Sequence, residues 1–188
     1  MGLKVHRDEL NSSQITSLLD SDIQDTDRLI AELNSFVTGT INTLTGEAYD
    51  TARSEIESYI SMLNQRKTTA NEIKTAISNA TSSLSGYMGP YDYLDDSDLE
   101  ILNNEIDNIR ASYENIKANL RASYDKNFLT RIYLNWALSN ANKQCAAQIA
   151  PLQDEIEKIK GLAGADSAAY GYLSSASTTS YKSAITGK

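Results

Sequence analysis

The sequence predicts an all-α protein, an elongated antiparallel bundle of coiled-coil-like helical hairpins without a sheet. Three observations carry that expectation. Apolar residues recur at alternating intervals of three and four along most of the 188 residues, a spacing that puts them on one side of an α-helix. Proline occurs only twice, at Pro90 and Pro151, so long stretches lack the residue that breaks helices. Concentrated turn chemistry is confined to residues 85–98, where Gly86, Gly89, Pro90 and four aspartates gather.

Taken in order, a first helix over about 8–38 follows from Ile15, Leu19, Ile23, Ile30, Leu33 and Val37. The run "VTGTINTLTG" is rich in glycine and β-branched residues, both poor in a helix interior. A hinge or helix–helix turn is expected between Thr38 and Gly46, with a kinked continuous helix as the alternative. A second helix over about 46–85 follows from Ala48, Ala52, Ile56, Ile60 and Leu63, then Ala70, Ile73, Ile77, Ala80 and Leu84. A third, over about 98–125, carries the clearest seam: Leu99, Leu102, Ile106, Ile109, Tyr113, Ile116 and Leu120. Ser97 or Asp98 is expected to cap it. A turn near Lys126-Asn127, or an unbroken helix, leads into a fourth over about 128–163. Its seam runs through Leu138, Ala141, Cys145, Ile149, Leu152, Ile156, Ile159 and Ala163. Pro151 predicts a kink or restart there, and "GLAG" ending at Gly164 predicts its stop. A weaker helix is expected over 165–186. Together these elements make one helical domain over 1–188.

The composition excludes several functions. The net charge is −8, from 17 Lys and Arg against 25 Asp and Glu, and the basic residues form no run. A nucleic-acid partner is not expected, nor is a basic membrane-surface face. No apolar stretch is long enough to predict membrane insertion. The single cysteine, Cys145, cannot form an internal disulfide and is expected to be a small buried hydrophobe. His6 has no second ligand nearby, and the aspartates of 92–98 lack the spacing of a calcium loop, so they are expected to cap a helix. Tyr87, Tyr91 and Tyr93 are expected either as an exposed contact knob or folded back over a bundle end. Trp136 is expected to anchor the core. Phosphate loops, zinc motifs and nucleophile elbows are missing from the sequence. No enzyme activity, metal or cofactor is expected.

One stretch carries a more specific signal. "LTGEAYDTARSEI" resembles the signature of the LXG domain, the N-terminal targeting region of polymorphic toxins exported by the type VII secretion system of Gram-positive bacteria. The matching residues are Leu44, Thr45 and Gly46, the small Ala48, then Tyr49 and Asp50, followed by a helix through Ile56 and Ile60. The motif lies within the first fifty residues and after one helix, as in that family, and no Sec-type signal precedes it. The resemblance is also distant to the WXG100 proteins, although Trp136 is followed by "ALS" and gives no such motif. It implies binding to small helical WXG100-like partner or chaperone proteins, and recognition of the complex by the secretion ATPase and channel. It also implies a Sec-independent route out of the cytoplasm. Leu44, Thr45, Gly46, Tyr49 and Asp50 would be the export motif. Family partners supply an aromatic-x-x-x-acidic tail; Tyr91 to Asp95 fits that pattern by letter but is expected to lie in a loop. No toxin domain is expected within these residues, which leaves the targeting half alone or a toxin-free relative.

Overall fold

In the computed structural model, residues 2–123 and 128–176 are described. They form the all-α helical bundle that the spacing predicts. The order is β1 (Lys4–His6), α1 (Ser13–Gly39), α2 (Glu47–Met88), β2 (Tyr93–Asp95), α3 (Leu99–Ser123) and α4 (Phe128–Ser175). Tight 3-10 turns at Arg7–Leu10, Ile41–Thr43 and Asp96–Asp98 precede α1, α2 and α3. The chain divides into two compact units. One combines Met1–Glu9 with Tyr87–Gly164, and the other combines Leu10–Gly86 with the residues from Ala165.

In the second of these, α1 runs antiparallel to α2. Asp20 pairs with Lys74, and Asp27 with Lys67 at 2.6 Å, so partners descend on one helix as they rise on the other. Asp22 meets Arg66 through both Nε and Nη2 in a better-shielded pair. Exposed pairs contribute only about 0–1 kcal/mol each, so these set the register more than they stabilise it. Burial does the stabilising: Leu19, Thr26 and Val37 of α1 are buried, as are Leu63, Ala70, Ala76 and Ala80 of α2 and Ala169 of α4. The abundance of alanine lets helices approach closely.

The other unit buries Val5, Met88, Leu94, Leu102, Ile106, Ala141, Ile149, Ile156, Ile159 and Leu162. Its N-terminal residues form a clasp. β1 and β2 pair antiparallel with Val5 opposite Leu94, and both side chains are buried. This small ribbon corrects the expectation of no sheet. Three alternating residues, "KVH", are too few to read as a strand. Arg7 then holds the loop after α2: Nη2 donates to the carbonyls of Gly89 at 2.6 Å and Tyr91 at 2.9 Å, and Nε meets Asp92 at 3.1 Å. The exposed ring of His6 lies 4.3 Å from that of Tyr93.

Several boundaries differ from expectation. α1 begins at Ser13 rather than near 8, because residues 7–10 turn tightly behind the clasp. Asp95 caps the 3-10 turn that leads into α3, accepting from the backbone N–H of Ser97 at 2.8 Å. α4 passes through Pro151 as one helix instead of restarting. Ala147, whose carbonyl loses its usual partner there, is exposed and open to water. Nor does "GLAG" stop α4, which continues to Ser175. Gly161 instead makes room for a neighbour. A Cβ there would overlap the Tyr87 hydroxyl, which donates to the carbonyl of Lys158 at 2.7 Å. Lys158 Nζ returns a bond to the Tyr87 carbonyl at 2.9 Å and lies 4.9 Å from the ring centre. The expected turn at Lys126-Asn127 lies outside the described residues, as does the part of 165–186 beyond Ala176.

Tyr87, Tyr91 and Tyr93 fold back, as one of the two expectations had it. Tyr91 Oη donates to Asp154 at 2.9 Å and to the Pro151 carbonyl at 3.2 Å. Trp136 does not anchor the core. It is 61% exposed, and so are Ile132 and Tyr133 by more than half. Trp136 precedes the seam residue Leu138 by two positions, which is about 200° around a helix. Cys145 is half-buried. In α3, Leu102 and Ile106 are buried, whereas Ile116 is 43% exposed.

The close approach at Gly161 can be measured. Gly161→Ala regains about 1 kcal/mol of helix propensity. It also forces Tyr87 off Lys158, at a cost of about 1 kcal/mol for the hydrogen bond and about 1–3 for overpacking. Net destabilisation of about 1–3 kcal/mol is expected in chemical denaturation. In a Tyr87→Ala background the same substitution should stabilise, and an unchanged sign would contradict the close approach.

The clasp should depend on pH at both ends. The Tyr93 hydroxyl donates to the Asp95 carboxylate, and with the Ser97 bonds this holds the carboxyl down at about 2. That stabilisation is present above the ordinary value of 3.8 and is lost as pH falls through about 2. The same bond, then burial, pushes Tyr93 up to about 12. Its contribution is present below pH 10 and is lost as pH rises through about 12. NMR shifts of the His6 ring should report the clasp opening over both windows, and Tyr93→Phe should weaken the acid limb. An acid limb unchanged in Tyr93→Phe would contradict the pairing.

Candidate interaction surface at the α1–α2 turn

The segment between α1 and α2 reverses the chain, which settles the choice between a turn and a kinked helix. The N–H of Thr40 still bonds the Phe36 carbonyl at 3.0 Å, closing α1. Ile41–Thr43 forms one 3-10 turn, with the Thr43 hydroxyl donating to the Thr40 carbonyl at 2.6 Å. Leu44 is then extended, at φ −111° and ψ 148°. Gly46 takes a φ of +128°, a region that side chains other than glycine's rarely occupy. Nothing lies within 4 Å of where its Cβ would be. Torsion rather than crowding within this chain is therefore what requires glycine. The Gly46 carbonyl accepts from Tyr49 N at 2.9 Å and Asp50 N at 3.1 Å, which starts α2. Glu47 and Asp50 in that first turn suit the helix dipole.

The turn is pinned from inside. Ile41 is only 5% exposed. Arg53, nearly two turns into α2, reaches the Ile41 carbonyl with Nη2 at 3.5 Å and Asp50 with Nη1 at 3.0 Å. Its Nε is buried. The apolar spacing already includes Ile41, whereas sequence reasoning missed Arg53. The Asp50–Arg53 spacing of three was a visible hint of a helical ion pair, but a bond to a main-chain carbonyl twelve residues away has no sequence signature.

All five expected motif residues lie at this end of the hairpin, and all are exposed. Leu44 is 39% exposed and Tyr49 42%; Phe36, in the last turn of α1, is 50% exposed. The structure thus places apolar groups from both flanks of the turn at one end, beside the acidic Glu47 and Asp50. Such a surface can dock against an apolar pocket, and it holds no converging acid, base or nucleophile. By contrast, Tyr91 to Asp95 passes through strand β2 rather than a helix.

A separate open hollow of about 510 Å³ is lined by Thr68, Asn71, Thr75, Asn79 and Tyr172, with Glu72 at its side. Thr68, Asn71 and Thr75 spend their side-chain donors on carbonyls four residues earlier in α2. Among the described residues, no group of three or more His, Cys, Asp or Glu side chains is arranged to hold a metal ion, and no helix is long and apolar enough to cross a membrane. Comparisons with protein-family models, curated proteins and solved structures returned no match for this chain.

The geometry separates torsional from packing roles. Leu44→Ala should lower stability by about 1 kcal/mol, short of the roughly 2–5 kcal/mol of a fully buried leucine, because the residue is 39% exposed. Gly46→Ala should lower it by about 1–3 kcal/mol through strain alone. Thermal unfolding of both variants checks this. Stabilisation by Gly46→Ala would mean that the helix continues through the turn.

Proposed function

We propose that this chain is an export-targeting module, an LXG-like domain of a Gram-positive type VII secretion effector. It binds small helical WXG100-like partners and presents the Leu44-Thr45-Gly46 turn to the secretion ATPase or channel. The observation that carries this reading is the placement of the L-x-G motif on an exposed helix–helix turn. The leucine is 39% exposed, and the glycine holds a positive φ of +128°.

The physical logic is that of a preformed anchor. An exposed leucine gains binding free energy by entering an apolar pocket on a partner surface. A turn already held by Ile41 and Arg53 loses little conformational freedom on docking. Tyr49 widens the apolar contact, while Glu47 and Asp50 favour a receptor surface with basic groups. In this reading the protein acts from the cytoplasm, leaves by a Sec-independent route, and delivers an antibacterial effector in competition between bacteria. Catalysis is not part of it.

Secretion of matched variants tests the proposal. Leu44→Ala and Tyr49→Ala should keep wild-type helicity and partner binding, yet accumulate in cells and be depleted by about ten-fold or more in the medium, the loss expected when a contact worth about 1.4 kcal/mol is removed. Normal export of both would remove the case for a dedicated signal at this turn; absence of export of the unaltered chain would leave a structural or adaptor bundle without an export role.

A further inference from the structure

Charge is spread unevenly along this chain. Residues 115–153 hold Lys117, Arg121, Lys126, Arg131 and Lys143 against Asp125 alone, a net +4 in a protein of −8. Lys117 is engaged by Glu114 and by Asn142 at 3.2 Å. Among the described residues, Arg121, Arg131 and Lys143 form no ion pair. In the same stretch α4 turns three large apolar side chains outward. Ile132, Tyr133 and Trp136 are each more than half exposed, and the Tyr133 and Trp136 ring centres lie 5.6 Å apart. Helical spacing puts these three and the exposed Lys143 within an arc of about 100°. The arc lies opposite the buried Ala141 and Ile149, and from Ile132 to Lys143 it is about 16 Å long. Exposed Ile116 of α3 stands at the level of Lys143, since its neighbour Lys117 reaches Asn142. The face is therefore aromatic at one end and cationic at the other, with Arg131 exposed on its flank.

We infer that this face of α4 docks one helix of a partner protein, a helix whose apolar stripe is bordered by Asp and Glu. The inference rests on the partner-binding half of the export reading and deepens it by naming a face and a charge. Tyr and Trp make strong anchors because each covers a large area with few rotatable bonds. Cations beside such anchors attract an acidic partner and repel a basic one. An incoming carboxylate would meet Arg131 and Lys143 without first breaking an ion pair among the described residues. A symmetric pair of copies joined here would bring Lys143 of one towards Arg131 of the other, cation against cation. An anionic membrane laid along α4 fits poorly for a different reason. Asp154 and Glu157 are exposed on the same side of the helix as Trp136, about 27 Å and 32 Å further along. A flat anionic surface would meet them, whereas a helix covering about three turns would not.

The test uses the full chain and two synthetic helical peptides that lack tryptophan. They share one apolar stripe and carry Glu in one and Lys in the other at the bordering positions. Trp136 is the single tryptophan, so its emission reports this face and should move to the blue when the Glu peptide covers it. The Glu peptide should bind at least about ten-fold tighter than the Lys peptide. By anisotropy of a labelled peptide, Trp136→Ala should weaken binding by about ten-fold or more, with circular dichroism unchanged. Arg131→Glu combined with Lys143→Glu should reverse the preference. Equal affinity for the two peptides, binding of neither, or indifference to Trp136→Ala would overturn the inference. So would a blue shift with anionic lipid vesicles but not with the Glu peptide, because the occupant would then be a membrane. A dimer in sedimentation that Trp136→Ala abolishes would overturn it too, in favour of a second copy. Failure of peptide binding alongside export that still depends on Leu44 would remove this face and leave the export reading standing. Peptide binding as expected alongside normal export of Leu44→Ala and Tyr49→Ala would keep this face and remove the signal at the turn.

Discussion

The reversal of the chain between α1 and α2 rests on one backbone torsion. At +128°, φ of Gly46 ends the extended step through Leu44 and lets its carbonyl receive the first N–H groups of α2. Were the helix to continue through this point, Leu44 would fall in phase with Val37 and Ile41 and join an inner seam. Instead Ile41 goes inside, Leu44 goes outside, and α2 returns along α1 in the register fixed by Asp20–Lys74 and Asp27–Lys67. The exposed motif is a consequence of how the hairpin closes.

Among the described residues, the same hairpin leaves Ile15, Leu18, Leu29 and Phe36 of α1 exposed. Its interior is lined largely by small side chains, with Ala70, Ala76 and Ala80 supplying much of what α2 buries. α1 is apolar over a wider arc than so narrow a contact can cover. Helices of this kind commonly complete their burial with another helix.

Much of the helical layout was legible because burial of one face imposes a 3/4 rhythm on the chain, and the seams of α1, α2 and α3 follow it closely. The α1–α2 turn was legible from glycines and threonines crowded into one run. What escaped depends on contacts between distant residues. Gly161 looked like a helix end because glycine usually is one, whereas here it makes room for Tyr87. Trp136 looked like a core anchor because of its type, although its phase relative to Leu138 already placed it outside. The N-terminal clasp depends on Arg7 finding the carbonyls of Gly89 and Tyr91 more than eighty residues away. At the candidate surface, the motif residues were legible, and the Arg53 brace that stiffens them was not.

The central claim is that the Leu44 turn touches the secretion machinery directly. A photo-crosslinking amino acid placed at Leu44, with a control at the exposed Asn104 of α3, would test this in secreting cells. The account predicts a crosslink from position 44 to the secretion ATPase or channel, and none from position 104. Crosslinks from both positions alike, or none from position 44 while the protein is being exported, would contradict it.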